Sequence, residues 1–150
     1  MKLHKQAHNI LGEAIDCRKL RDLYLHQDRL DDAEQSLIQA VKLHQQAHDI
    51  LGEANDCQSL GDLYLYQNQL SDAEQSLIQA VKLHQQAHDI LGEAYDCQKL
   101  GNLYLCQNQL ANAEQSLIQA VKLHKQAYDI LGEANDCRKL GDLPASELTW

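Results

Sequence analysis

Residues 41–80 read VKLHQQAHDILGEANDCQSLGDLYLYQNQLSDAEQSLIQA, and residues 81–120 repeat them as VKLHQQAHDILGEAYDCQKLGNLYLCQNQLANAEQSLIQA, with six substitutions. Self-similarity at such a period is typical of stacked supersecondary units, each too small to bury its own apolar face. Phe is absent, there is a single Pro, and no segment alternates apolar with polar residues as a half-buried strand does. The sequence therefore predicts an all-α protein built from repeats.

Each repeat carries two apolar stripes at helical spacing. The first contains Ala54, Cys57, Leu60, Gly61 and Tyr64. The second contains Leu70, Ala73, Leu77, Ala80, Val81, His84, Ala87 and Leu91. This pattern predicts helix A over about residues 52–66 and helix B over about 70–89. Asn68 suits the left-handed residue that ends helix A, and Gly52 is expected to mark the break before it.

Extended along the chain, the pattern predicts a single array over residues 1–150. Residues 1–10 match the end of a helix B, helix pairs cover 12–50, 52–90 and 92–130, residues 132–143 form a lone helix A, and 144–150 are a tail. Pro144 is expected to stop the lone helix. Arg21 stands where the later repeats have Gly61, Gly101 and Gly141, which predicts a looser first helix pair unless the arginine extends outward.

The repeat resembles the tetratricopeptide repeat over nearly the whole chain. The family pattern is a small residue and an aromatic residue on helix A, then Ala, a bulky apolar residue and Ala on helix B. It is carried by Gly61, Tyr64, Ala73, Leu77 and Ala80, and again by Gly101, Tyr104, Ala113, Leu117 and Ala120. The 40-residue period is similar to that of Leu-Gly-Asn-repeat polarity adaptors and of arrays that follow nucleotide-binding domains in fungal and bacterial signalling proteins. The resemblance implies an alpha-alpha superhelix, a solenoid of antiparallel helix pairs.

Composition, charge and the absence of catalytic motifs argue against several classes of function. The net charge of -9, without a basic stripe, argues against nucleic-acid binding. No apolar run approaches the roughly 20 residues of a membrane-spanning helix, and the start lacks an apolar signal segment, so we expect a cytoplasmic protein. No Gly-rich phosphate loop, serine elbow or carboxylate pair outside solvated faces is visible, so we expect no enzyme and no cofactor. Asp56, with Glu53, is interpreted as a first-turn acid favoured by the helix dipole.

Histidines spaced by four residues recur as His44 and His48, with counterparts at His84 and His88 and at His4 and His8. Such a pair on a helix can share a metal, but no third ligand is evident. Because His44 falls on the apolar stripe, the pattern favours packing and hydrogen bonding between repeats.

One cysteine recurs on the expected buried face of each helix A, at Cys17, Cys57, Cys97 and Cys137. Equivalent helices lie on the order of 8–10 Å apart, beyond the roughly 7 Å limit for a disulfide, so these cysteines are interpreted as small buried thiols. Cys106 aligns with Tyr66 on a face expected to be open, and it is predicted to be the most reactive thiol.

Four of the six substitutions fall at positions 55, 59, 62 and 66, a spacing that puts them on one face of helix A. The resemblance implies that this face lines a concave groove where a peptide or protein segment binds, with Tyr66 and Tyr95 as aromatic anchors. Neutral drift at exposed positions is the alternative. The predicted groove residues are Ile15, Arg18, Lys19, Asp22, His26, Asn55, Gln58, Ser59, Asp62, Tyr66, Tyr95, Gln98, Lys99, Asn102, Cys106, Asn135, Arg138 and Lys139.

Two functions remain open at this point. The first is a non-catalytic protein-binding scaffold or adaptor, and the second is a self-assembling structural module without a dedicated ligand. The lone helix A is expected to expose apolar residues, and exposed solenoid ends normally require a cap. We therefore expect a homodimer through Cys137, Leu140 and Leu143, unless Trp150 of the tail covers them.

Overall fold

The computed structural model describes residues 2–143, with side chains from residue 9 onward. These residues form seven helices: α1 (Lys2–His26), α2 (Leu30–Gln46), α3 (Ile50–Tyr66), α4 (Leu70–Gln86), α5 (Ile90–Cys106), α6 (Leu110–Gln126) and α7 (Ile130–Gly141). Residues 2–143 contain no strand. The prediction of an all-α helical repeat solenoid is confirmed. None of the helices in this part of the chain has the length and apolarity to cross a membrane.

The chain divides into two compact units, Met1–Leu83 and His84–Trp150. In the first unit α1 packs on α2 and α2 packs on α3, whereas in the second α5 packs on α6 and α6 packs on α7. Helices α1, α3, α5 and α7 correspond to helix A of the sequence pattern, and α2, α4 and α6 correspond to helix B. The short connections between them favour antiparallel neighbours.

The turns explain where each helix ends. Asn68 has a φ of 58°, which confirms its predicted left-handed conformation, and His48 has a φ of 55° at the turn between α2 and α3. The Asp49 carboxylate accepts a hydrogen bond from the Gly52 backbone N–H at 3.0 Å and so caps α3. Helix A consequently begins at Ile50, two residues before the expected start, and helix B ends at Gln86, three residues before the expected end.

The glycine pattern of the A helices reflects packing. A Cβ added at Gly61 would lie 2.7 Å from Leu77 Cδ2, so a glycine is needed for the close approach of α3 and α4. Leu77, Ala73 and Ala80 are all fully buried. The expected apolar stripe of helix B does not continue to Leu91, which is 40% exposed because it already belongs to the first turn of α5.

The first repeat departs from the expected boundaries. Helix α1 runs without interruption through the break expected between residues 10 and 12. Among the residues whose side chains are described, none lies within 4 Å of a Cβ built on Gly12, whereas one built on Gly52 would meet the His44 ring. Without such packing, nothing compensates for breaking the helical hydrogen bonds of α1.

The last described residues correct one further expectation. Leu143 is buried, although a lone helix was expected to expose it. Helix α7 ends at Gly141 and the Leu143 backbone N–H donates to the Leu140 carbonyl at 3.2 Å, so Leu143 lies in a turn rather than on the helical face. Leu140 is half-buried and Cys137 is exposed. Residues 144–150, with Trp150, lie outside the described residues, as do the side chains of His4 and His8.

Candidate functional site

The substituted face of the A helices is accessible to solvent within each unit. We call it the A-helix face and define it by residues 55, 59, 62 and 66 and their equivalents 40 residues away. Tyr66 is 75% exposed and Tyr95 is 37% exposed. The other exposed members of the predicted set are Ile15, Lys19, Asp22, His26, Asn55, Asp62, Cys106, Asn135 and Arg138. The half-buried members are Arg18, Gln58, Ser59, Gln98, Lys99, Asn102 and Lys139. Their role in binding stays a prediction.

Two members of the predicted set connect neighbouring A helices. Arg18 Nε donates to Asp56 Oδ1 at 2.7 Å, and Arg18 Nη2 donates to the Gly52 carbonyl at 3.0 Å. In the second unit, Gln98 Nε2 donates to Asp136 Oδ1 at 2.6 Å. These side chains hold one A helix against the next, a role that their position on the repeat did not reveal.

A buried histidine and aspartate pair recurs at each of the three turns that lead from a B helix to the next A helix. Nδ1 of His44 donates to Asp56 Oδ2 at 2.6 Å, and the same bond joins His84 to Asp96 and His124 to Asp136. All six side chains are buried, so the prediction of packing and hydrogen bonding is confirmed for His44 and His84. The second histidines of the predicted pairs, His48 and His88, are exposed and lie in turns rather than on a helix. The residues described contain no group of three His, Cys, Asp or Glu side chains arranged to hold a metal ion.

The interpretation of Asp56 as a solvated first-turn acid is wrong. Helix α3 begins at Ile50, so Asp56 lies in its second turn, where it is fully buried between His44 and Arg18. The signal that could have revealed this pair is the constant separation of 12 residues between histidine and aspartate in every repeat. Because the aspartate keeps a fixed spacing along the chain from the buried histidine, a contact between the two side chains is expected, and not only an interaction of the carboxylate with the helix dipole.

The two predicted aromatic anchors have different surroundings. The Tyr95 hydroxyl donates to Asp129 Oδ2 at 2.9 Å, and its ring meets the His124 ring edge-on with 5.1 Å between centroids. The hydrogen bond to Asp129, together with burial, raises the pKa of Tyr95. The backbone N–H of Gly132 and then the Tyr95 hydroxyl lower the pKa of Asp129. The Tyr95 side chain is therefore fixed by its contacts with His124 and with Asp129 of the turn before α7. Most of the Tyr66 ring, by contrast, is exposed to solvent.

A cavity of about 500 Å³ opens beside Tyr66 in the first unit. Four predicted groove residues meet there: Asp22, Ser59, Asp62 and Tyr66. The remaining lining residues are Arg21, Leu25, Asp28, Leu30, Leu37 and Leu63. A volume of several hundred cubic ångströms with a few polar groups is typical of ligand-binding clefts.

The cavity is associated with Arg21. In the second unit Gly101 lies directly against Leu117, where an added Cβ would be 2.7 Å from Cγ. Arg21 occupies the corresponding position of α1. Its side chain is only 19% exposed and lies against α3, with Nη1 donating to Ser59 Oγ at 3.1 Å, so it does not extend outward into solvent. Leu37, the counterpart of Leu117, lines the cavity instead of closing on a glycine.

The burial of each cysteine thiol depends on how the helices around it pack. Cys57 and Cys97 are buried and Cys17 is half-buried, and burial raises the pKa of the Cys97 thiol to about 12. Cys137 is exposed, so its predicted burial is wrong, because no helix among the described residues covers α7 as helix B covers the other A helices. Cys106 is exposed, as expected, and its reactivity stays a prediction.

Comparisons with known proteins agree with this architecture. Residues 57–90 and 97–130 match the tetratricopeptide repeat family. The crystal structure of BtubC (BKLC) from P. vanneervenii is similar in fold, with a TM-score of 0.58 and 16% sequence identity over 89% of this chain. The chain spans 63% of the length of that protein. No curated protein sequence matches the chain significantly. The two family matches support a helical repeat protein of the tetratricopeptide type.

Proposed function

We propose that this tetratricopeptide-type chain is a non-catalytic scaffold that binds a peptide or protein segment along its A-helix face. Repeats of this type generally mediate protein–protein interaction. A cytoplasmic location is part of the proposal, because cysteines outside any disulfide, such as Cys17 and Cys97, are typical of a reducing compartment.

The observation that carries the proposal is where the two near-identical repeats differ. Four of their six substitutions lie on the A-helix face, while the residues that pack α3 on α4 and α5 on α6 are the same. Variation on one face of otherwise constant helices is what a binding surface with repeat-specific contacts requires. Exposed aromatic residues such as Tyr66 are among the types that contribute most binding energy at interfaces.

The experiment is a selection of binders from a random peptide library displayed on phage, with the full chain as bait. Selected peptides are then titrated by fluorescence anisotropy against the parent, Tyr66→Ala and Tyr128→Ala. Tyr128 is a matched control because it is 90% exposed and lies in the turn before α7, not at one of the helical positions that define the A-helix face. We expect Tyr66→Ala to weaken binding by at least about tenfold and Tyr128→Ala to leave it unchanged. Equal effects of the two substitutions would contradict the assignment of the face.

A self-assembling module is the second candidate, favoured by an exposed apolar cluster at the start of α7. Ile130 and Leu131 are 77% and 78% exposed, whereas their counterparts Ile50 and Leu51 are 40% and 44% exposed. Tyr128 extends this cluster. Homodimerisation predicts that the mass in sedimentation rises with concentration for the parent and not for the double variant Ile130→Glu, Leu131→Glu. A parent that remains monomeric, or a variant that dimerises equally well, would contradict it.

A further inference from the structure

The cavity beside Tyr66 has an apolar floor and an open rim. Leu37 and Leu63 form the floor and are almost completely buried, while Leu25 and Tyr66 are exposed at the rim. A volume of about 500 Å³ accommodates more than one side chain. The apolar surface that a ligand can remove from water is therefore that of Leu25, Leu30 and Tyr66 around this floor. These side chains favour a bulky apolar group in the ligand.

The rim of the cavity is acidic. It carries three carboxylates, Asp22, Asp28 and Asp62, and one guanidinium, that of Arg21, which is ion-paired with Asp22 at 2.8 Å. An adjoining cavity of about 340 Å³ shares Asp28 and Leu30 with the first one. It adds two carboxylates and one guanidinium, those of Asp31, Asp32 and Arg29. Five carboxylates thus face two guanidinium groups, which favours a cationic ligand.

The third repeat shows that the charge belongs to this cavity rather than to the repeat in general. Its residues at the positions of Asp22, Asp28, Asp31 and Asp32 are neutral, namely Asn102, Asn108, Ala111 and Asn112. Its residue at the position of Arg21 is Gly101. The arginine in place of a glycine at position 21 and the carboxylates around the cavity therefore occur together in the first unit.

We infer that this cavity binds a segment of a partner protein in which a bulky apolar side chain is flanked by arginine or lysine. The apolar side chain packs over Leu37 and Leu63 against Leu25 and Tyr66, and the flanking cations interact with the carboxylates of the rim. An arginine can in addition stack on the exposed Tyr66 ring. A second copy of this chain is a less suitable occupant, because its net charge of -9 adds repulsion. The inference rests on the proposed function and specifies the chemistry of its ligand.

The test uses the full chain and a fluorescein-labelled peptide, Gly-Arg-Arg-Leu-Leu-Arg-Gly, titrated by anisotropy at about 0.15 M salt. The key variant is Asp28→Asn, Asp62→Asn. It is expected to fold, since Asn68, Asn108 and Asn102 occupy equivalent positions. The control is Asp16→Asn, Asp72→Asn, which removes two exposed carboxylates that lie outside the cavity and outside the A-helix face. Two further peptides replace both leucines by serine or all arginines by glutamate.

We expect the key variant to weaken binding by at least about tenfold and the control variant by less than about twofold. Both altered peptides should bind at least about tenfold more weakly than the original. Equal weakening by the two variants would overturn the inference, because attraction would then be to the overall charge. Tight binding of the serine peptide would also overturn it, because the apolar floor would then be irrelevant, and so would failure of the original peptide to bind.

The display selection separates this inference from the proposed function. Selected peptides that depend on Tyr66 but lack basic residues would overturn the charge assignment and leave peptide binding by the A-helix face intact. Selected peptides that bind independently of Tyr66 would overturn the proposed function itself.

Discussion

Replacing Asp56 with alanine removes the shared acceptor of the His44 imidazole and the Arg18 guanidinium. His44 is 3% exposed, so its Nδ1–H cannot regain a hydrogen bond from water. The Arg18 side chain is 30% exposed and can recover part of its hydration. An unsatisfied buried donor costs about 1–3 kcal/mol, and removing one partner of a buried ion pair costs about 3–5 kcal/mol. Because Arg18 is partly solvated, we expect Asp56→Ala to lower the free energy of unfolding by about 3 kcal/mol.

The control is Asp16→Ala. Asp16 occupies the equivalent position on α1, 40 residues earlier, and it is exposed there. Its replacement should change the free energy of unfolding by less than about 0.5 kcal/mol. The same residue type at the same repeat position is thus tested with and without burial.

The assay is urea denaturation followed by circular dichroism at the helical band. With a denaturant dependence of about 1–3 kcal/mol per M, the Asp56→Ala midpoint should fall by about 1–3 M. A double-mutant cycle with His44→Ala should give a coupling energy of at least about 1 kcal/mol. Equal shifts for Asp16→Ala and Asp56→Ala, or additive effects of the Asp56 and His44 substitutions, would refute the assigned pairing.

Three further outcomes are expected. Gly101→Ala should destabilise the chain by about 1–3 kcal/mol, because the added Cβ would overlap a leucine of α6. Gly12 has open space around it among the described side chains, so Gly12→Ala should stabilise the chain by about 0.5–1 kcal/mol in the same urea melts. Under native conditions, iodoacetamide should modify Cys106 well before Cys97, whose pKa of about 12 keeps the thiol protonated; mass spectrometry of the digested chain measures both, and equal rates would contradict the burial. Burial and the hydrogen bond to Glu34 raise the pKa of Tyr64 to about 12 in the folded chain, against about 10 in the unfolded chain. The unfolded chain therefore loses this proton first, so the free energy of unfolding falls as the pH rises from about 10 to 12. Tyr64→Phe should reduce that fall, and an unchanged pH profile of the urea midpoint would refute the shift.

Much of the fold could be predicted from the repeat. Two stripes at helical spacing indicate two helices per unit, and the glycine at position 61 indicates the close approach of Leu77. Asn68 indicates the left-handed turn between helices. These are local or nearest-neighbour properties, so they appear in the sequence as short, regular spacings.

The candidate site could be predicted in part. The spacing of the substitutions identified an exposed face, because a helix places residues three and four apart on one side. It could not show that Arg18 and Gln98 turn from this face toward buried aspartates of the next A helix. Nor could it show the cavity beside Tyr66, which requires the packing of three helices around the Arg21 side chain.

What the sequence by itself determined is the all-α repeat, its period and the faces of its helices, since hydrophobic periodicity depends on each helix alone. Tertiary structure decided which polar groups meet. The contact between His44 and Asp56 depends on the turn at residues 47–49, which brings side chains 12 positions apart within 2.6 Å. It also decided that α1 continues past Gly12, because a helix breaks where packing compensates for the lost hydrogen bonds, and no side chain from residue 9 onward lies against that glycine.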